Sequence, residues 1–427
     1  MRNVRDFGAV GDGVHSDTQA IQKALDAGGT VLFPPGRYLS GTIFLRSHGG
    51  LHLEDGAELV SGDDTEQWNA PDFCPENRWG SAEGSNGHHL IIARECEDIS
   101  ITGGIINGSY QNWASDINTK TGFYAIHPHN GQMIFLVRCK RIRIHDCEMV
   151  NSPYWNCFLH GCEDVQLTRL RIYSEPKLLC NDGIDIDCCR RVTISDCLID
   201  TGDDALTLRG NDTPLGGGMP CEHITVTNCV LAGRFADGVR IGVGNGTIRN
   251  AVFSNLTIHD SEFGIEMTAK YGKGPGGTDM ENIHFENIVM DVKRGFDVKL
   301  NNVQNDVPSS KTIRGVSFHN ISGRVERSSR IIGNESGCVD DVLFDDVRLD
   351  YYGVGTAPYI DERGMWCCDS TDAAFDVRHA SNVRFHDVRL RFCGDGKDGW
   401  HHGVAFKAAP GLKFRDCEFC LPMKSED

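Results

Sequence analysis

Carboxylates crowd two short segments of this chain, Asn181-Asp182-Gly183-Ile184-Asp185-Ile186-Asp187 and Asp200-Thr201-Gly202-Asp203-Asp204-Ala205. Asp182 and Asp203 lie 21 residues apart, close to one turn of a solenoid, so stacked coils would set their side chains next to each other. Four or more acids in one place repel one another and lose part of their hydration, which divides them into protonated and ionised members. Hydrolysis of a glycosidic bond needs that division: an acid to protonate the leaving oxygen, and a carboxylate opposite it as base or nucleophile. Asp182, Asp203 and Asp204 are therefore the candidate catalytic residues. Aspartates at solenoid turns also cap strand ends or bind calcium. Glycine-flanked acids in two adjacent coils weigh against that simpler reading.

The elements that would position these acids are short and repeated. Glu97-Asp98-Ile99-Ser100-Ile101, Lys140-Arg141-Ile142-Arg143-Ile144, Glu163-Asp164-Val165-Gln166-Leu167, Arg190-Arg191-Val192-Thr193-Ile194 and Glu222-His223-Ile224-Thr225-Val226 share one pattern. It returns at Glu281, Arg314, Asp340 and Ser381, mostly as a polar pair before an apolar-x-apolar step. Such strands cannot bury a face alone, whereas stacked coils bury a continuous interior in which equivalent Cys and Asn positions form ladders. No four-strand blade motif or leucine consensus supports a propeller or a leucine-rich array. The expected fold is all-β, a right-handed parallel β-helix with a short N-terminal capping helix over the segment beginning Asp17-Thr18-Gln19-Ala20-Ile21. The expected organisation is a single domain, 1–427, with a cap and first strands over 1–60, main coils over 90–368 and terminal coils over 369–427. Insertions at 61–86, 112–130 and 211–220 break the rhythm and are the expected walls of a binding site.

A formal net charge of −18 argues against nucleic acid or an anionic membrane as partner. The N-terminus has no apolar stretch behind its charges, and no segment approaches a spanning helix, so a cytoplasmic location is expected. The 18 cysteines lack zinc-ligand spacing and read as reduced core residues. No metal or other cofactor is expected. Lys273-Gly274-Pro275-Gly276-Gly277 lacks the ending of a phosphate-binding loop.

Over nearly its full length the chain resembles glycoside hydrolase family 28, the polygalacturonase-like enzymes. The resemblance rests on Asp6-Phe7-Gly8-Ala9-Val10-Gly11-Asp12-Gly13, which marks the wider pectin-lyase-like group. More specific are Asn151-Ser152-Pro153-Tyr154-Trp155, Asp182-Gly183-Ile184-Asp185 and Gly202-Asp203-Asp204. It implies an inverting hydrolase in which Asp203 is the general acid while Asp182 and Asp204 hold and activate water. Asn181 stands where the family carries Thr. Two motifs depart. Asp237, in Ala236-Asp237-Gly238, takes the place of the family's histidine, and Glu266 and Thr268 replace its Arg-x-Lys. Because the cations there are expected to grip a substrate carboxylate, a glutamate points to a neutral sugar whose hydroxyls donate to Asp237 and Glu266. Lys270, at strand period from Thr268, and nearby Arg240 could instead have taken over cationic recognition.

His160 and Trp155 precede the acidic coils and are candidate substrate contacts, the indole as a stacking face. His127, His129, Trp113 and Trp366 are weaker candidates of the same kind. The expected activity is hydrolysis of an oligosaccharide or glycoside, with the long insertions favouring a closed pocket and exo-action. The alternatives are a galacturonide hydrolase with relocated carboxylate recognition, a transglycosylase, a β-eliminating lyase or epimerase, and a non-catalytic glycan-binding solenoid.

Overall fold

The computed structural model describes residues 1–77, 87–119, 122–126, 131–271, 276–302, 307–353 and 370–421. The chain divides into two compact units, one of residues 1–205 with 213–219, the other of 206–212 with 220–427. Each unit is a stack of coils of a right-handed parallel β-helix, the fold the repeats predict. In the first unit one row of paired strands runs Ile43–Phe44, His88–Arg94, Gly131–Val137, Cys157–His160 and Ile184–Asp187. A second row carries the repeated signature, through Glu97–Thr102, Lys140–His145, Glu163–Thr168 and Arg190–Ser195. A third ends on Glu148–Val150, Arg171–Tyr173 and Leu198–Thr201. The second unit repeats this three-row plan from Asp237–Gly244 to Glu418–Cys420.

The polar pair before each apolar step has a backbone cause. Its second member, at Asp98, Arg141, Asp164, Arg191, His223, Asn282, Asp341 and Asn382, sits at φ between 51° and 58°. That left-handed kink turns the chain from one row into the next, and Asn and Asp tolerate it better than other side-chain-bearing residues. Where Arg stands instead, its side chain reaches the previous coil: Arg141 Nε lies 2.7 Å from Asp98, and Arg191 Nε 2.6 Å from Asp164.

Ladders line the stack as the solenoid reading expects. In the second unit Phe253, Phe285, Phe318, Phe344, Phe385 and Phe414 form a column with successive centroids 4.8–5.4 Å apart, near the spacing of paired strands. Asn282 donates to Asn250, and Asn320 to Asn287, at 2.7 and 2.8 Å. The cysteines among the described residues are free thiols, most of them buried. In the first unit the Cys162 amide donates to Cys189 Sγ at 3.3 Å, and burial pushes the Cys147 thiol up to about 12.

The N-terminal helix spans Thr18–Asp26 and buries Ile21, Ala24 and Leu25. Asp17 precedes it, but its carboxylate accepts from Val10 N and Gly11 N at 2.6 and 3.0 Å. It pins the first glycine turn and makes no side-chain cap hydrogen bond to the helix.

Candidate active site

The acids of the first unit gather where two coils turn out of the third strand row into the first. Gly183 N donates to Asp204 O at 2.9 Å and Ile184 N to Ala205 O at 3.1 Å. In a parallel ladder these bonds set Asp182 opposite Asp204. Equal coil length would have set it opposite Asp203; the actual register differs by one residue, because the coil carries one residue more than the 21-residue separation allows. Asp203 falls opposite Asn181, whose Oδ1 accepts from Gly202 N at 2.8 Å and Asp203 N at 3.0 Å. The Asp203 carboxylate in turn accepts from Cys180 N at 2.9 Å and Asp204 N at 3.1 Å. Asn181 acts as a backbone clamp, since its Nδ2 also donates to Glu175 O at 2.8 Å. Asn156 holds the other segment, donating from Nδ2 to the carbonyls of Asn181 and Asp182. Asn181, Asp182, Asp185, Asp187 and Asp204 are buried, and Asp203 is half-buried. Asp182, Asp203 and Asp204 thus share one glycine-lined turn, with Asp203 the most open of the three.

The glycines are required by close approach. A Cβ on Gly202 would stand 2.6 Å from Leu178 O, and one on Gly183 2.4 Å from Ala205 O. Gly202→Ala is therefore expected to push the Asp203 turn off Asn181 and lower kcat about a hundredfold, as a displacement near 1 Å does. Turnover assayed beside circular dichroism checks this; full activity in a folded variant would contradict the placement of Asp203.

One insertion stands against this turn. Ala114–Ile117 and Tyr124–Ile126 pair as an antiparallel hairpin, with Tyr124 N bonded to Lys177 O at 3.0 Å and Tyr110 Oη to Glu175 Oε2 at 3.0 Å. His127, His129 and Trp366 lie outside the described residues. Trp155 does not offer a face to a sugar: it is 3% exposed, packed with Cys74, Phe135, Val137, Tyr154 and Phe158. Trp113 is likewise buried, against Trp68. The outward positions of the first row are aromatic here, so covering them buries more apolar area than leaving an indole open. His160 is 0% exposed, stacked on Phe158 with Nε2 3.9 Å from Asp187 Oδ2. It belongs to the packing behind the acids, not to their open side.

In the second unit the outward column of the first row runs Thr207, Arg240, Glu266, Asp297, Arg330, Asp376 in register. Arg240 Nη1 lies 3.1 Å from Asp237, and its Nη2 3.3 Å from Glu266 Oε1. Lys299 Nζ bridges Glu266 at 3.2 Å and Asp297 at 2.6 Å. Arg330 grips Asp297 with a two-bond fork, 2.8 and 2.7 Å. Thr268 Oγ1 donates to Glu266 Oε1. The arrangement brings Asp237, Arg240, Glu266 and Thr268 together. Lys270 turns aside, donating from Nζ to Val307 O at 2.9 Å. Burial works to raise the Glu266 carboxyl, but the charges of Arg240 and Lys299 outweigh it and hold the group below the usual carboxylate range. Asp297 is buried too, and Arg330, Lys299 and Arg294 hold it lower still.

Asp297, Lys299 and Arg330 were not among the expected site residues. Their signal is nonetheless present as a second repeat: Gly238-Val239-Arg240-Ile241, Gly264-Ile265-Glu266-Met267, Gly295-Phe296-Asp297-Val298 and Ser329-Arg330-Ile331. A charge between two inward apolar residues, one coil after another, marks an outward charged column.

The chain is thus a parallel β-helix with glycine-flanked acids stacked at one turn. Residues 76–375 match the family described as Glycosyl hydrolases family 28, and residues 1–49 match Rhamnogalacturonase A/epimerase, pectate lyase-like. The chain belongs to glycosyl hydrolases family 28. A probable polygalacturonase of Vitis vinifera is 26% identical over 283 residues, covering 63% of this chain and 57% of that protein. The chain thus spans little more than half of that relative's length. A hyperthermoactive exopolygalacturonase from Thermotoga maritima superposes with TM-score 0.69 at 23% identity, over 82% of this chain and 86% of that one. The family 28 exopolygalacturonase of Yersinia enterocolitica gives 0.70 at 16% identity, over 96% and 78%.

Proposed function

We propose that the protein hydrolyses a glycosidic bond of a pectic oligosaccharide from the chain end, with inversion. Asp203 protonates the leaving oxygen, and Asp182 and Asp204 hold and activate the water. The observation that carries this reading is the register of the acidic turn: Asp182 opposite Asp204, with Asp203 clamped by Asn181 and more exposed than its neighbours. Two buried aspartates at opposite positions of adjacent coils suit a shared water, and a separate half-buried acid suits proton donation. Exo-action is supported by the names of the Thermotoga and Yersinia proteins, and by the hairpin standing against the acidic turn.

The sugar recognised at Glu266 is neutral in this account. The cations Arg240, Lys299, Arg330 and Arg294 already serve the carboxylates Asp237, Glu266 and Asp297 in one buried set. A uronate would stand against Glu266 and have to take cations from the carboxylates they already serve, whereas hydroxyls can donate to Glu266 without breaking those pairs. The second reading, a galacturonide substrate, is supported by the names of the relatives and would draw on Arg240 and Lys299.

A hydrolysis screen in EDTA separates the two, pairing aryl glycosides of rhamnose, galactose, arabinose and xylose with oligogalacturonides. Release from a neutral glycoside alone is expected; cleavage of oligogalacturonides alone would overturn the neutral assignment. Glu266→Gln is expected to raise the ratio of kcat/KM on uronides to that on neutral glycosides by at least about tenfold, since it leaves a cation unbalanced. An unchanged ratio would remove Glu266 from recognition.

A further inference from the structure

Six buried charges on the outward face of a sheet are a poor way to stabilise it, because a buried ion pair seldom outperforms a well-packed apolar replacement. Their arrangement is ordered. Arg330 spends its planar fork on both oxygens of Asp297, the geometry that leaves a carboxylate least freedom. Asp297 then takes Lys299 Nζ at 2.6 Å, and the same ammonium reaches Glu266. Arg240 closes on Glu266 from the preceding coil, and Thr268 from its own strand. Glu266 is thereby held from both neighbouring coils. Asp297 faces Glu266 as a like charge from the next coil, and the contact that joins the two carboxylates is the Lys299 ammonium between them.

We propose that Asp297, locked by Arg330, is a positioning residue for sugar recognition: it sets Lys299, and through Lys299 the direction in which Glu266 meets a sugar hydroxyl. This rests on the reading that Glu266 contacts the sugar. It assigns to the two following coils a function that lies outside the turn where the acids sit. The column also supplies counter-charges to Glu266. They stand one coil earlier and one coil later, at Arg240 and Lys299.

The experiment compares wild type, Asp297→Asn, Arg330→Lys and Lys299→Met on the aryl glycoside that wild type cleaves, measuring kcat and KM from pH 4 to 7 with thermal melting alongside. Asp297→Asn keeps the shape and removes the charge, so KM should rise about tenfold or more with kcat within about twofold, the loss expected of a charge-assisted contact made equally in ground and transition states. Arg330→Lys keeps the charge without the fork and should fall between wild type and Asp297→Asn. Lys299→Met removes a cation that holds Glu266 ionised, so the acid limb of 1/KM should move to higher pH, with Arg240, Asp297 and Thr268 the other groups facing that carboxyl. Folded variants with wild-type KM and an unmoved acid limb would overturn the proposal. A fall in kcat alone would also overturn it. If Asp297→Asn does not fold, Arg330→Lys decides, because it preserves the charge balance. Wild type that cleaves no glycoside would sink the hydrolase reading and this proposal with it, whereas active wild type with unaltered variants sinks the proposal alone.

Discussion

Asp203→Asn is expected to lower kcat by roughly 10²–10⁴-fold, the usual weight of a positioned general acid, with KM nearly unchanged and the fold retained. An amide fills the same space, but its single carbonyl oxygen keeps only one of the two bonds, because Cys180 N donates to Oδ2 and Asp204 N to Oδ1 of the carboxylate. It cannot give a proton to a leaving oxygen. The half-buried position of Asp203 supports this assignment over Asp182 or Asp204, which are buried. Asp182→Asn and Asp204→Asn should also lower kcat, but an aryl glycoside with a good leaving group should partly rescue only Asp203→Asn, since that bond breaks without protonation. Full turnover by the Asp203 variant would end the assignment.

The second large effect is on stability. Phe318 is 0% exposed, with ring centroids 5.1 Å from Phe285, 4.8 Å from Phe344 and 4.6 Å from Phe296. Phe318→Ala removes a ring from the middle of a stack whose neighbours are held by paired strands and cannot close in. The expected loss is about 3–5 kcal/mol. Because coils of a solenoid stabilise their neighbours first, amide hydrogen exchange should quicken most in the strands around Phe285 and Phe344. Uniform protection equal to wild type would contradict the column's role.

The features readable from the sequence were those with a local cause. The polar pair before each apolar step was legible because the left-handed kink at Asp98, Asp164 or Asn282 selects particular residue types within five positions. The acids were legible because glycine must flank them: only Gly183 and Gly202 let adjacent coils close around carboxylates. Register was not legible. A one-residue difference sets Asp204, not Asp203, opposite Asp182, and coil length depends on how turns such as Glu175 to Cys180 pack. Trp155 shows a second limit. An aromatic residue beside a turn serves a sugar or a core equally well by type, and here an apolar outward row, Phe135 with Phe158, decided for the core. The partners of Glu266 escaped notice because Lys299 and Asp297 lie a coil away, where ion pairing leaves no mark at short sequence range; only aligning Gly264 with Gly295 brings them together.

The most direct test follows the products by proton NMR as wild type and Asp203→Asn act on a short pectic oligosaccharide in EDTA. Wild type is expected to release a saturated sugar from the chain end with the anomeric configuration inverted, and Asp203→Asn to release little or none. An unsaturated product, a retained anomer, or equal release by both proteins would contradict it.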